Sequence, residues 1–145
     1  MFKVVFIGYF LIQVGLPLRH WFIQGDVLRT EEGHRLSWRM MLRTKSGIVN
    51  YKVVDKETGE SRIIDHYKMV SKKQRNMLAT KPDVMWQFIQ RLKKQYKEEG
   101  KEVEIYITNS KVSVNGKPYE PFINPEVDIA KVSWNTFTHS SWILD

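Results

Sequence analysis

From Val4 to Leu18 the chain reads VVFIGYFLIQVGLPL, apolar at every position except Gln13. Such a run has no polar stripe, so it predicts a helix with apolar surroundings on all sides. Fifteen helical residues span about 22 Å, short of the roughly 30 Å hydrocarbon core of a bilayer. No small-x-small cleavage site follows, as a signal peptide would require. Arg19, His20 and Trp21 follow instead, the basic and aromatic types that settle at a membrane interface. Residues 1–22 are therefore expected to be the end of a membrane segment, with Met1 lying inside a longer membrane protein. A buried N-terminal core helix is the alternative.

The pattern then changes. QGDVLRTEEGH, with Gly25-Asp26 and Gly33, reads as an ordered loop. RLSWRMMLR alternates, with Leu36, Trp38, Met40 and Leu42 toward one face and Arg35, Ser37, Arg39 and Arg43 mainly toward the other. That period predicts a strand with Trp38 inward. TKSG turns the chain, IVNYKVVD returns, and KETGE leads into SRIIDHY, which together predict a three-stranded antiparallel meander. Ser71 and Gln74 have capping-box spacing and open a short helix through Met77 and Leu78. Pro82 suits the first turn of a second helix, whose stripe is Val84, Met85, Phe88, Ile89, Leu92 and Tyr96 and whose end is Gly100. Strand character returns at Val103, Ile105 and Ile107, then at Val112 and Val114 before an Asn115-Gly116 turn. The tail, YEPFINPEVDIAKVSWNTFTHSSWILD, is expected to run extended, held by aromatic anchors. Strands, helices, then strands predict an α+β domain over residues 23–145. Its core would be an antiparallel sheet of about four to six strands with two helices on one face, preceded by the N-terminal hydrophobic helix.

Composition narrows the chemistry. At 145 residues the chain suits one domain with a real core. The absence of cysteine excludes a disulfide framework, an iron–sulfur cluster and a thiolate nucleophile. The net charge of +7 is evenly spread: residues 1–70 carry 11 basic and 7 acidic side chains, and residues 71–145 carry 12 and 9. A nucleic-acid surface would segregate its basic groups, so no nucleic acid is expected as a partner. The densest run, Arg91, Lys93, Lys94 and Lys97, is followed at once by Glu98 and Glu99 and reads as a solvated helix face.

Glu31, Glu32 and His34 are close in sequence, but no HExxH or other helical metal pair occurs, and the four histidines are far apart. No metal site is expected. Nucleophile-elbow and glycine-rich phosphate motifs are also missing. What remains is Arg19, His20, Glu31, Glu32, His34 and Trp38 around one loop beside the hydrophobic segment. From spacing they read first as an interface anchor, with Glu pairing Arg and Trp38 in the core, and second as a binding site.

Here the residues match a known pattern: Leu16-Pro17, Arg19-His20, Gly25-Asp26, Thr30, Glu32-Gly33 and Ser37-Trp38-Arg39-Met40-Met41, without a gap. The segment resembles the one that follows the last membrane helices in vitamin K-dependent γ-glutamyl carboxylases and their bacterial relatives. LATKPD at Leu78–Asp83 and INPEVDIAKVSWNTFTHSSWILD resemble later motifs of that family, so the likeness covers nearly the whole chain. Two positions depart: Arg29 stands where the family has tryptophan, and Leu36 where it has an aromatic.

The resemblance implies an integral membrane protein that abstracts the γ-proton of peptidyl glutamate and adds carbon dioxide, driven by oxygenation of vitamin K hydroquinone or another quinol. Quinol, carbon dioxide and oxygen would belong to the full-length protein, with no cofactor in this chain and no catalytic residue of its own. Its partners would be the membrane-spanning part of the same polypeptide and a glutamyl peptide or protein, with this domain extracytoplasmic. Substrate-binding candidates by resemblance are Arg19, His20, Glu31, Glu32, His34, Trp38 and Arg39. Arg19, Arg35 or Arg39 would hold a carboxylate, His20 or His34 would donate at its edge, and Glu31 and Glu32 would orient the cations. The alternatives are an interaction module of a carboxylase-like protein with altered chemistry, and a basic domain that binds anionic lipid or nucleic acid.

Overall fold

Helix α1 (Phe2–Leu18) runs on through a 3-10 turn (Arg19–Phe22), in a computed structural model that describes residues 2–38 and 43–145. The combined run of 21 residues is long and apolar enough to cross a membrane. At 1.5 Å per residue it reaches about 32 Å, close to the thickness of a hydrocarbon core. Pro17 is its one buried residue, and Phe2, Val5, Phe6, Phe10 and Leu11 stand bare. A surface so apolar requires lipid or protein around it.

Beyond it lies a four-stranded antiparallel sheet ordered β2–β1–β3–β4, from β1 (Lys45–Asp55), β2 (Ser61–Ile64), β3 (Val103–Val114) and β4 (Glu120–Pro121). Val49, Tyr51 and Val53 of β1 point to the core, and so do Val103, Ile105 and Ile107 of β3. The inward positions then change phase to Ser110 and Val112. A β-bulge does this: Ile48 pairs Lys111 and Asn50 pairs Thr108, so Asn109 and Ser110 together face Val49. Asn109 sits at φ 50°, a left-handed conformation that asparagine tolerates better than most residues.

Helices α4 (Lys72–Thr80) and α5 (Pro82–Glu98) cover one face of this sheet. The capping box forms at Ser71, whose N–H donates to Gln74 Oε1 at 2.9 Å, and Pro82 begins α5. Met85, Phe88, Ile89, Leu92 and Tyr96 are buried on the sheet, as the stripe predicted. Tyr51, fully buried, donates its hydroxyl to Leu78 O at 2.8 Å and meets Phe88 edge to face. Gly47 is required by close approach, since a Cβ there would stand 2.3 Å from Ala79 O. The tail is extended and anchored by buried Phe122, Ile129, Trp142 and Ile143. Three polar side chains on one side of α5 hold it by its carbonyls: Trp86 Nε1 to Val132 O (2.7 Å), Gln90 Nε2 to Ile129 O (3.2 Å) and Lys93 Nζ to Ala130 O (2.8 Å). Lys93 is thus a tail contact rather than one more solvated cation.

Three sequence expectations need correction. Residues 35–38 are turn and bend, not strand, and β1 pairs β2 on one side and β3 on the other. Trp38 is 71% exposed, not inward. The remainder of that expected strand, 39–42, lies outside the described residues. His66 and Tyr67 belong to a short helix α3 (His66–Met69) rather than to β2, and the loop after Gly25 contains a further helical turn, α2 (Val27–Thr30).

Candidate functional site

The loop that follows α2 is built from turns. Asp26 caps α2, its Oδ1 accepting from Leu28 N at 2.9 Å. Glu31 ends the turn at φ 65°, Gly33 follows at φ 69° and Leu36 at φ 65°. His34 N donates to Glu31 O and Ser37 N to His34 O, both at 3.2 Å, while Ser37 Oγ donates to the same carbonyl at 2.6 Å. Backbone groups engaged in this way cannot join a sheet, which is why the alternating pattern of RLSW, Arg35–Trp38, fails here. Gly33 lies against the foot of α1: a Cβ would stand 2.8 Å from His20 Cβ. Left-handed backbone costs about 1–2 kcal/mol for each residue other than glycine. At Glu31 that cost is offset by what the side chain meets.

The Glu31 carboxylate is buried among three cations. Arg43 donates from both Nε and Nη2, while Lys45 Nζ lies 3.8 Å and Lys81 Nζ 3.9 Å away. The side chains of Glu31, Arg43 and Lys45 are 8%, 9% and 5% exposed, so solvent screens them little. Burial above all, then the charges of Arg43, Lys81 and Arg29 against the opposing pull of Glu31, pushes Lys45 down to about 7. Its ammonium also reaches Arg29 O and sits 4.2 Å over the Phe122 ring. Arg43 Nη1 lies 3.3 Å from His34 Nδ1. Burial first and Arg43 second hold the His34 ring below its ordinary value, so at neutral pH it accepts at Nδ1 and carries its proton on Nε2.

Two cavities meet at this cluster. A cleft of about 650 Å³ runs past Arg19, Glu31, His34, Arg35, Lys81 and Asp83, and a pocket of about 240 Å³ opens between Arg43, Lys45, Asn76, Thr80 and the same Glu31, His34 and Lys81. Arg19 walls the cleft. Its Nη2 donates to Arg35 O at 2.8 Å, while Nε and Nη1 are buried with no partner among the described residues. Arg35 pairs with Asp83 at the start of α5, its Nε 2.6 Å from Oδ2. His20 Nδ1 donates to Pro17 O at 2.7 Å, and its Nε2 is buried without a partner among the described residues. A neutral His20 therefore presents a lone pair, and only the imidazolium would donate there.

Of the residues singled out in the sequence, Arg19, Glu31 and His34 are brought together by this groove. Glu32 is turned away: its Oε2 lies 2.6 Å from His139 Nδ1 and its Oε1 accepts from Ser140 N at 2.8 Å, so it fastens the tail and orients no arginine. Trp38 stands in solvent beside exposed Leu36, and Arg39 is outside the described residues. Sequence reasoning missed Lys45 and Lys81 altogether, and it gave Arg43 no role. Lys45 carried no readable signal, because the sequence places it in the TKSG turn. His139 carried none. No group of three His, Asp or Glu side chains is placed to hold a metal ion among the described residues.

No curated protein and no solved structure matches the chain. The family description "Vitamin K-dependent gamma-carboxylase, lumenal domain" matches residues 1–145, its whole length. An apolar helix of membrane-crossing length leading into an α+β domain fits that description. The chain belongs to the lumenal-domain family of the vitamin K-dependent gamma-carboxylases.

Proposed function

We propose that this lumenal domain receives the side-chain carboxylate of a peptidyl glutamate in the cleft at the foot of α1 and holds it for the membrane portion of the same polypeptide. The observation that carries this reading is the convergence of Arg19, His34 and Lys81 on the wall of a 650 Å³ cleft. A guanidinium and an ammonium lining one cleft favour an anionic ligand, and a carboxylate is the best match to the charge and planarity of a guanidinium. His34 adds an Nε2–H at the same wall, and Glu31 fixes the neighbouring cations. Exposed Trp21 and Phe22 continue from α1, and Leu36 and Trp38 are exposed on the loop beside it. Those rings and that leucine would face the bilayer interface or the membrane helices.

The family implies vitamin K for the whole carboxylase. The charged residues of this groove, Arg19, Arg43, Lys45, Lys81 and Glu31, suit carboxylates. No step of the quinol's chemistry is assigned to them. The domain's own part is to bind, orient and neutralise.

The test is titration of the chain in detergent micelles with a peptide containing glutamate and with its glutamine counterpart. Loss of one charge-assisted pair at a site of this kind lowers affinity by about tenfold or more. The glutamate peptide is expected to bind at least that much tighter. Equal affinities would contradict the proposal.

A further inference from the structure

The pocket beside the cleft is over-supplied with positive charge. Arg43, Lys45 and Lys81 stand within 4 Å of one carboxylate, Glu31, which leaves two cations in excess when Lys45 is protonated. The four residues between Trp38 and Arg43 are Arg, Met, Met and Leu, which add no acid. The pocket is open, with Asn76 and Thr80 on its rim and Lys81 still one-third exposed. It shares Glu31, His34 and Lys81 with the wall of the Arg19 cleft. A site with two uncompensated cations on low-dielectric walls favours two negative charges close together over one.

We propose that this pocket binds a compact dianion, and specifically the geminal dicarboxylate that a glutamate side chain becomes when a second carboxylate is added to its γ-carbon. The dicarboxylate assignment rests on the functional reading above; the dianion preference rests on the charge count alone. The substrate monocarboxylate is held at Arg19, and the dicarboxylate moves across to Lys81 and Arg43. That transfer clears Arg19 for the next glutamate of the same peptide. Lys45, held near half-protonation at neutral pH by its burial and its cationic neighbours, takes up a proton as the dianion arrives.

The probes are malonate, acetate and inorganic phosphate, titrated calorimetrically into the chain in micelles, followed by one peptide carrying either glutamate or γ-carboxyglutamate. Two added charge-assisted contacts correspond to about tenfold or more in affinity. Malonate is expected to bind that much tighter than acetate and tighter than phosphate, with net proton uptake at about pH 7.5, and the γ-carboxyglutamate peptide tighter than its glutamate form. Lys81→Gln, at a partly exposed position, should fold and abolish the preference. Equal binding of malonate and acetate, or a preference that survives Lys81→Gln, overturns the inference. Phosphate binding as tight as malonate overturns the dicarboxylate assignment. Glutamate-peptide binding that depends on Arg19 without any malonate preference removes this inference and leaves the functional proposal standing. A malonate preference in a chain that does not bind the glutamate peptide overturns the functional proposal and the dicarboxylate assignment with it, and leaves the dianion preference standing.

Discussion

Glu31 is one carboxylate shared by three cations, and its removal should be felt as stability before function. Taking away one partner of a buried pair costs about 3–5 kcal/mol, because the remaining charges lose their counterion. Glu31→Gln should lower the urea stability of the domain by that order, and Lys45→Met in the same chain should recover part of the loss. The pH dependence follows from Lys45, whose folded value near 7 lies below its ordinary one. Between the two values the unfolded chain holds the proton and the folded chain does not, so stability rises with pH. His34, also lowered, acts in the same direction: its contribution is lost as pH falls through its folded value. Urea midpoints should therefore be higher at about pH 9 than at about pH 7, and Lys45→Gln should flatten the difference. A wild-type midpoint that falls over this range would contradict the assignment. Little of this was legible in sequence. Glu31 was singled out as an orienter of cations, yet its partners arrive from 12, 14 and 50 positions away, and Glu32 meets His139 across 107. Spacing along a chain says nothing about contacts that only the fold creates.

Elements with local signals were the most readable. The Ser71–Gln74 box, Pro82 at a helix start and the α5 stripe each depend on neighbours three or four residues apart, and each formed as expected. The bulge in β3 was half-visible: inward residues at 103, 105 and 107 and again at 112 cannot share one period-2 face without an extra residue between them. Asn109→Val places a β-branched side chain at φ 50° and should cost about 1–2 kcal/mol, whereas Asn109→Gly should be close to neutral. Thermal unfolding of the two variants decides this, and equal losses would mean that the backbone conformation is not what asparagine supplies. The strand expected from Arg35 failed because alternation alone cannot distinguish a strand from a chain of turns. The left-handed Glu31 and Leu36 were invisible, since neither residue type advertises positive φ.

At the scale of the whole molecule, an apolar helix enters a basic α+β domain, and the groove lies where the two join. The even spread of charge in sequence hid a concentration in space, because Arg19, the Arg43–Lys45 pair and Lys81 come from three separate segments. Fold class followed from hydrophobic period; family membership came from short motifs whose residues pattern reasoning had left ambiguous. On the proposal that the groove only binds and orients, the chain alone should give no carboxylation with quinol, carbon dioxide and a glutamyl peptide. Incorporation of labelled carbon dioxide would contradict that division of labour. The central claim is that Arg19 takes the glutamyl carboxylate. It is tested most directly by the dissociation constant of a glutamate peptide for the wild-type chain and for Arg19→Gln in the same micelles. The account predicts a loss of about tenfold or more with the unfolding free energy in urea unchanged within about 1 kcal/mol; an unchanged dissociation constant in a folded Arg19→Gln chain would contradict it.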